Sequence, residues 1–442
     1  MFVYTLPDAV LRHVVAEDFP TSEADLSRLW GQGAFTRRRL TTTHGQGLQV
    51  VYPGRRSRHG GPDFLDAVFT TARGETRRGD VEIHLRSRDW RQHGHHRDQK
   101  YNNVALHVVL WDEGRHPTLL ERGGETWVLC LSHQWPAAAE DAYKRMPCRS
   151  GSPELLGHWL EEMGDERLRE KAEGYQELAT TVGEDQALYQ GIMEALGYSQ
   201  NRIPFARLAQ GLPWADLVAI GEEGGLLALQ AALLGSAGLL PHQRGNSTAL
   251  DEWCPGLQAA WTDLGREAVV SVADWCFVGL RPRNLPSRRL AGASYLVHRH
   301  QGRGLAHMVA DLFQSHWPKG LPRALEAALS VTAQGYWASH RDLGRPGPGD
   351  GTLIGPGRAR DIVVNVVLPF FWCRGGVAGE RAREIYRRYP RMEENQVTQD
   401  MAERLGLERG AVNSARRQQG LLYLHKTHCL SGHCPRCPRL SL

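Results

Sequence analysis

Two carboxylates and an imidazole carry the first suggestion of chemistry in this chain. The stretch GDVEIHLRS, residues 79–87, alternates as a strand does, so Val81, Ile83 and Leu85 share one face and Glu82, His84 and Arg86 the other. Upstream, GGPDF sets Asp63 at the start of a second alternating run, FLDAVFTTA, and the only turn chemistry between the runs is Arg73-Gly74-Glu75. A hairpin closed there places Asp63 opposite about residue 84 and Leu65 opposite about residue 82. Asp63, Glu82 and His84 then converge. Two carboxylates beside an imidazole on adjacent strands form an oxygen-rich site suited to Mg²⁺ or Mn²⁺. The bland alternative makes Glu82 and His84 solvent-facing residues of a hairpin and Asp63 a turn residue.

Two further clusters carry metal-ligand side chains. The segment DWRQHGHHRDQKYNN directly follows the strand, and its His93, His95 and Asp98 are an alternative zinc set. Near the end, HCLSGHCPRC gives Cys429-x4-Cys434-x2-Cys437. Closely spaced thiolates without a secretion signal suit a structural metal, with Zn²⁺ expected ahead of an iron-sulfur cluster. His428, His433, Cys373 and Cys148 are the candidates for the fourth ligand.

The elements that must position these groups read as follows. A Ser-capped helix over 22–32 (SEADLSRLWGQ) precedes strands over 48–53, 64–72 and 80–87, a loop leading into a short helix, and the strand VALHVVLW over 104–111. The strand ETWVLCL ends this region. From about residue 153 the spacing becomes helical, the Gly- and Pro-rich GRPGPGDGT reads as a flexible linker, and IVVNVVLPFFW beyond it is a buried helix or strand. The expected organisation is α+β: an α/β domain over 1–150, a helical domain over 151–343, and a C-terminal helical region with the cysteine cluster over 353–442. Such a division suits 442 residues, and 41% apolar with 23% charged residues is the composition of a folded chain. No membrane span and no secretion signal are expected, which places the protein in the cytoplasm.

The formal charge of +4 neither demands nor excludes nucleic acid, but arginines crowd the first hundred residues and suit an anionic ligand. In DMAERLGLERGAVNSARRQQG, Ala402, Gly406 and Val412 sit at helix-turn-helix intervals, which would aim Asn413, Arg416 and Arg417 at DNA; an amphipathic helical hairpin has the same letters and is the preferred reading. RPRNLPSRRLA offers Arg281, Arg283, Asn284, Arg288 and Arg289 either to phosphate or to helix ends.

The order of helix, PD-bearing hairpin, E-x-H strand, helix and strand resembles the restriction-endonuclease-like core of the PD-(D/E)xK nuclease superfamily. Pro62, Asp63 and Glu82 match its motif, His84 stands where lysine is usual, and Glu23 falls where some members carry a further acidic residue. Through EADLSRLW, GPDFLDAVF, GDVEIHLRSRDWRQHGHHRDQKYNNVALHVVLWD, RPRNLPSRRLA, NVVLPFF and the final C-x4-C-x2-C, the chain is identified as a member of the bacterial family catalogued as domain of unknown function 2851, which supplies no established activity.

The superfamily resemblance implies metal-assisted phosphodiester hydrolysis. Asp63, Glu82 and the Ile83 carbonyl would hold Mg²⁺ or Mn²⁺, and His84 would act as base or phosphate donor. Arg55, Arg56 and Arg58 in the loop PGRRSRHGG would contact the backbone of DNA or RNA, and Asp98, Tyr101 and Asn102 would line the same cleft. Some superfamily relatives hold an iron-sulfur cluster with one distant and three clustered cysteines. The missing lysine also admits a non-catalytic nucleic-acid-binding or scaffold protein.

Overall fold

The computed structural model describes residues 23–429, apart from 32, 34, 37, 58–59, 115–116, 133, 135–152, 199, 246–251, 278–279, 281–283, 348–350 and 409. Arg58, Cys148, Arg281, Arg283, His433, Cys434 and Cys437 lie outside the described residues. The chain divides into two units: the described residues up to 159 with 394–411 and those from 421 onward, and residues 160–393 with 412–420.

The first unit is built on a mixed sheet. Helix α1 (Glu23–Gly31) spaces Leu26 and Trp30 so that both turn into the core. Seven strands follow: β1 (Arg39–Thr41), β2 (Gly47–Tyr52), β3 (Arg55–Arg56), β4 (Phe64–Thr71), β5 (Thr76–Arg86), β6 (Val104–Trp111) and β7 (Trp127–Cys130). Their order is β1-β2-β4-β5-β6-β7, with β3 paired to β4. Pairing is antiparallel through β5 and parallel from β5 to β6 and from β6 to β7.

A parallel neighbour requires a crossover. Residues 87–103 make it, through the short helix α2 (Asp89–Gln92) and two 3-10 turns, His95–Arg97 and Gln99–Tyr101. This crossover covers the second face of the sheet. Gly94 joins its first two pieces at φ 76°, in the left-handed region where a side chain is disfavoured. One sheet face packs Trp30, Phe64, Phe69, Val81, Ile83, Leu106 and Val108 together. The other packs Trp90, Tyr101, Val104 and Leu120.

The covered second face corrects one expectation. Glu82 and His84 alternate with Val81 and Ile83 as the pattern requires, yet they are 6% and 1% exposed, so they face a filled interior and not water. Strands flanked by parallel neighbours are commonly buried on both sides. The register also differs from the simple hairpin. Phe64 pairs with Val81 and Ala67 with Gly79, with an irregularity between them where Asp66 adopts φ 60°. The ladder from Thr70–Thr76 to Ala67–Gly79 already runs one residue off a turn centred between 73 and 74, and the β-bulge adds one more, so that together they set Asp63 alongside Glu82 instead of His84.

The second unit is helical, with a core that includes Leu217, Leu229, Leu233, Leu290, Phe370 and Phe371. IVVNVVLPFFW is helical: Pro356–Ile362 leads into a wide π turn, Val363–Val367, and then Leu368–Cys373. Pro369 has no N–H to continue the α-helical ladder, which suits a wide turn just before it. Around the Gly- and Pro-rich stretch, Arg345–Pro346 pairs with His340–Asp342 and Thr352–Ile354 with Val331–Thr332, so short paired strands flank its undescribed centre. Among the described residues one helical run, Trp214–Ser236, kinked at Gly225, is long and apolar enough to cross a membrane by length and composition. It carries Leu217 and Leu229 into the helical core.

The basic motifs of this unit are engaged internally. Arg416 pairs with Asp165 and Glu161, and Arg417 with Glu161. Arg288, 1% exposed, donates to the carbonyls of Trp337 and His340, and Arg289 donates to that of Leu353. These arginines join elements of the fold.

Candidate functional site

Strand β5 runs past the start of β4, leaving the N–H groups of Ile83 and Leu85 without a strand partner on that edge. Carboxylates fill the gap. Ile83 N–H donates to Asp63 Oδ2 at 3.0 Å, and Leu85 N–H donates to Glu23 Oε1 at 3.4 Å. Asp63 N–H donates to Glu82 Oε2 at 2.9 Å. Asp63 and Glu82 are thus pinned reciprocally through one backbone step, and Glu23 from α1 caps the same edge. Such bonds fix carboxylate orientation with little side-chain freedom.

Burial pushes the Asp63 carboxyl up to about 7, with the neighbouring Glu82 adding to the rise; the Ile83 N–H opposes it, Glu23 adds a little and Arg56 lowers it slightly. Burial is named first because removing a carboxylate from water penalises its charged form most. A carboxyl held near neutrality beside two others marks a place that lacks positive charge.

Behind the carboxylates stands a row of imidazoles. His107 on β6 lies beside Glu82 in the parallel ladder. Its Nε2 is 2.9 Å from His84 Nδ1, and its Nδ1 is 3.1 Å from Thr118 Oγ1. His84 Nε2 is 3.1 Å from His93 Nδ1. Burial, then the adjacent His107, His95 and His93, pushes His84 down to about 2, and burial with His95 pushes His107 to about 3. Both rings are therefore neutral in the folded protein, since a buried group sheds charge it cannot solvate.

His95 approaches from the crossover. Its Nε2 is 3.2 Å from Glu82 Oε1 but outside hydrogen-bond geometry, and it has no hydrogen-bond partner although the residue is only 8% exposed. The ring is held by Tyr101, stacked at 3.9 Å, and by Trp90 at 5.4 Å. Trp90 is fixed in turn by its indole N–H, which donates to the Leu119 carbonyl at 2.9 Å. A buried polar atom without a partner costs about 1–3 kcal/mol, which an ion or proton donor at that position would offset. One ring nitrogen from each of His84, His93 and His95 lies within 4.8 Å of the other two.

The structure thus brings Glu23, Asp63, Glu82 and His84 together. Tyr101 lies against His95, and burial followed by the charges of Glu82, Asp98 and Asp63 pushes its phenol up. Asp98 accepts from Lys100 N–H at 3.0 Å. Asn102 is held away in another contact, donating to Glu121 Oε2 at 3.0 Å and accepting from Arg122 N–H at 3.1 Å. Arg55 Nε donates to Asp66 Oδ2 at 3.2 Å, while Arg56 is exposed on the same short strand.

The zinc alternative of His93, His95 and Asp98 is not the set that gathers: His84 takes the place of Asp98. His107 and Thr118 escaped the sequence reading. The available signal for His107 was a single imidazole inside the otherwise apolar VALHVVLW. In the tail, Cys429 is buried with its Sγ 3.9 Å from Met401 Sδ. Cys373 Sγ donates to the Phe370 carbonyl at 2.8 Å.

A family model described as "Protein of unknown function (DUF2851)" matches residues 23–396. Comparison with curated proteins and with solved structures finds no match.

Proposed function

We propose, for a chain that belongs to the DUF2851 family of unknown function, a metal-dependent hydrolase that cuts phosphodiester bonds of DNA or RNA at Asp63 and Glu82. The observation that carries this reading is the reciprocal pinning of the two carboxylates where β4 and β5 part, with Asp63 N–H on Glu82 and Ile83 N–H on Asp63. A nuclease-like core arranged as in the PD-(D/E)xK superfamily is part of the proposal.

The residues present fit a divalent cation. Asp63 is pushed up to about 7 among carboxylates, and the orphaned His95 nitrogen faces Glu82 Oε1. Asp63 Oδ1, Glu82 Oε1 and the Ile83 carbonyl would hold the ion, with Mn²⁺ or Mg²⁺ the class first expected. When bound it lowers the pKa of its water and offsets charge on the phosphate.

The chain's own groups do the rest. Glu23 and Asp63 hold the exposed edge of β5 rigid, so the carboxylates keep their aim without reorganising. His84 has both ring nitrogens engaged and is neutral, so it serves as a fixed imidazole and not as the mobile cation that a lysine would supply. His93, exposed and bonded to His84, is the imidazole that solvent and substrate reach and the candidate proton acceptor. Arg56, exposed beside the site, and Arg58 are placed by sequence to meet the phosphate backbone.

The neutral His84 in the lysine position favours the second reading, a nucleic-acid-binding protein without cleavage. Labelled single- and double-stranded DNA and RNA, incubated with the full chain in Mn²⁺ or Mg²⁺, separate the two. Cleavage that falls about a hundredfold or more in Asp63→Asn supports the hydrolase; retention of substrate without cutting supports the second reading.

A further inference from the structure

The donor atoms around Glu82 describe a metal site richer in nitrogen than the carboxylate pair alone. We propose that His84 Nε2, His93 Nδ1, His95 Nε2 and Glu82 Oε1 form a binding site for a borderline divalent transition ion of the Zn²⁺, Mn²⁺ or Fe²⁺ class, with Mg²⁺ a poor occupant. The inference extends the hydrolytic reading but does not need it, because metal affinity stands or falls separately from cleavage.

Distances carry the argument. A tetrahedral ion with ligand bonds of about 2.0–2.1 Å sets its donors about 3.3 Å apart. The corresponding separations are 3.1 Å between His84 Nε2 and His93 Nδ1, 3.6 Å between His84 Nε2 and Glu82 Oε1, and 3.2 Å between His95 Nε2 and Glu82 Oε1. The three nitrogens fall within 4.8 Å of one another. A hydrogen-bonded imidazole pair accounts for the first of these contacts alone. It leaves His95 Nε2 buried, 3.2 Å from a carboxylate oxygen and without a hydrogen-bond partner.

The surroundings orient the donors. The contacts of Thr118, His107 and His84 form a chain that can run in either direction, since ring protons are assigned and not observed. In the ion-binding direction, His107 Nδ1–H donates to Thr118 Oγ1 and His84 Nδ1–H donates to His107 Nε2, which leaves the His84 Nε2 lone pair for the ion. Outer hydrogen bonds of this kind commonly fix a ligating imidazole. Trp90 and Tyr101 hold His95 in place. Three imidazoles with one carboxylate suit borderline ions, whereas Mg²⁺ prefers oxygen donors and retained waters.

The test is titration of the metal-stripped full-length protein with Co²⁺, read by its visible d–d absorption. One equivalent is expected to give bands without the thiolate charge-transfer absorption that binding at the cysteine tail would bring. His93→Ala, at an exposed position, and His95→Ala should each weaken that binding by more than the roughly tenfold to hundredfold cost of an outer-shell change, with near-ultraviolet circular dichroism retained in at least His93→Ala. Excess Mg²⁺ should not displace the ion. Absence of bands other than thiolate-associated ones, or bands undiminished in His93→Ala, overturns the site. If Co²⁺ binds as described and no nucleic acid is cut, the hydrolytic reading fails and this one stands. If the wild type cuts nucleic acid in Mg²⁺ and Co²⁺ gives no bands, the reverse holds.

Discussion

At the scale of single residues, ionisation separates what pattern alone conflates. Asp63 and Glu82 were legible because a PD step and an E-x-H step sit at the ends of two alternating runs. The state of His84 was not, since alternation tells which residues share a face and nothing of what covers it. His425 gives a test of such burial away from the imidazoles around Glu82. It is hydrogen-bonded to Tyr52 at 3.0 Å, and burial together with Arg404 pushes it down to about 4, opposed by Asp66 and aided more weakly by Arg55 and Arg78. In an unfolded chain it titrates near 6.5. Between these values the unfolded state binds more protons, so stability is lost as pH falls below about 6.5. Of the loss between pH 7 and pH 5, about 2 kcal/mol belongs to this ring. Urea unfolding of His425→Gln is expected to show a pH dependence shallower by about that amount; an unchanged slope would contradict the assignment.

Among the elements, the strands and the first helix follow from periodicity, while the bulge at Asp66 does not. A bulge is a one-residue insertion whose letters differ little from those of a regular strand. Together with the one-residue offset of the hairpin ladder at its turn, it moved Asp63 from opposite His84 to opposite Glu82. IVVNVVLPFFW resisted assignment because a short, wholly apolar run has no period to read. The crossing of β5 over β6 depends on a missing side chain. A Cβ on Gly79 would lie 2.5 Å from Ala105 Cβ and 2.8 Å from the Asn103 carbonyl oxygen. Neither neighbour is a flexible chain end, so Gly79→Ala should destabilise by about 1–3 kcal/mol through overpacking. Thermal unfolding of the variant measures this, and an unchanged midpoint would mean that β5 sits farther from β6 than described.

Across the whole chain, composition announced a folded protein and periodicity a mixture of sheet and helix, and the mixed sheet of the N-terminal part with the helical remainder agrees with that. Sequence order did not announce how the tail is shared, because the described residues of 394–411 and 421–429 belong with the sheet while 412–420 belong with the helices. The cysteine cluster is the remaining metal proposal at this scale. Cys429 is described and buried, and Cys434 and Cys437 lie beyond the described residues. Replacing Cys434 and Cys437 by Ser should remove one equivalent of zinc from the purified protein, as measured by elemental analysis; wild-type protein that carries neither zinc nor iron there would end that proposal.

The account turns on Glu82, which anchors Asp63 with one oxygen and faces the imidazoles with the other. The most direct measurement is cleavage of a labelled single-stranded oligonucleotide by metal-stripped protein before and after Mn²⁺ is restored, beside Glu82→Gln. The account predicts cutting by the wild type only with the ion, and a loss of about a hundredfold or more in Glu82→Gln with its fold intact. Equal rates in the two proteins, or cutting that ignores the metal, would contradict it.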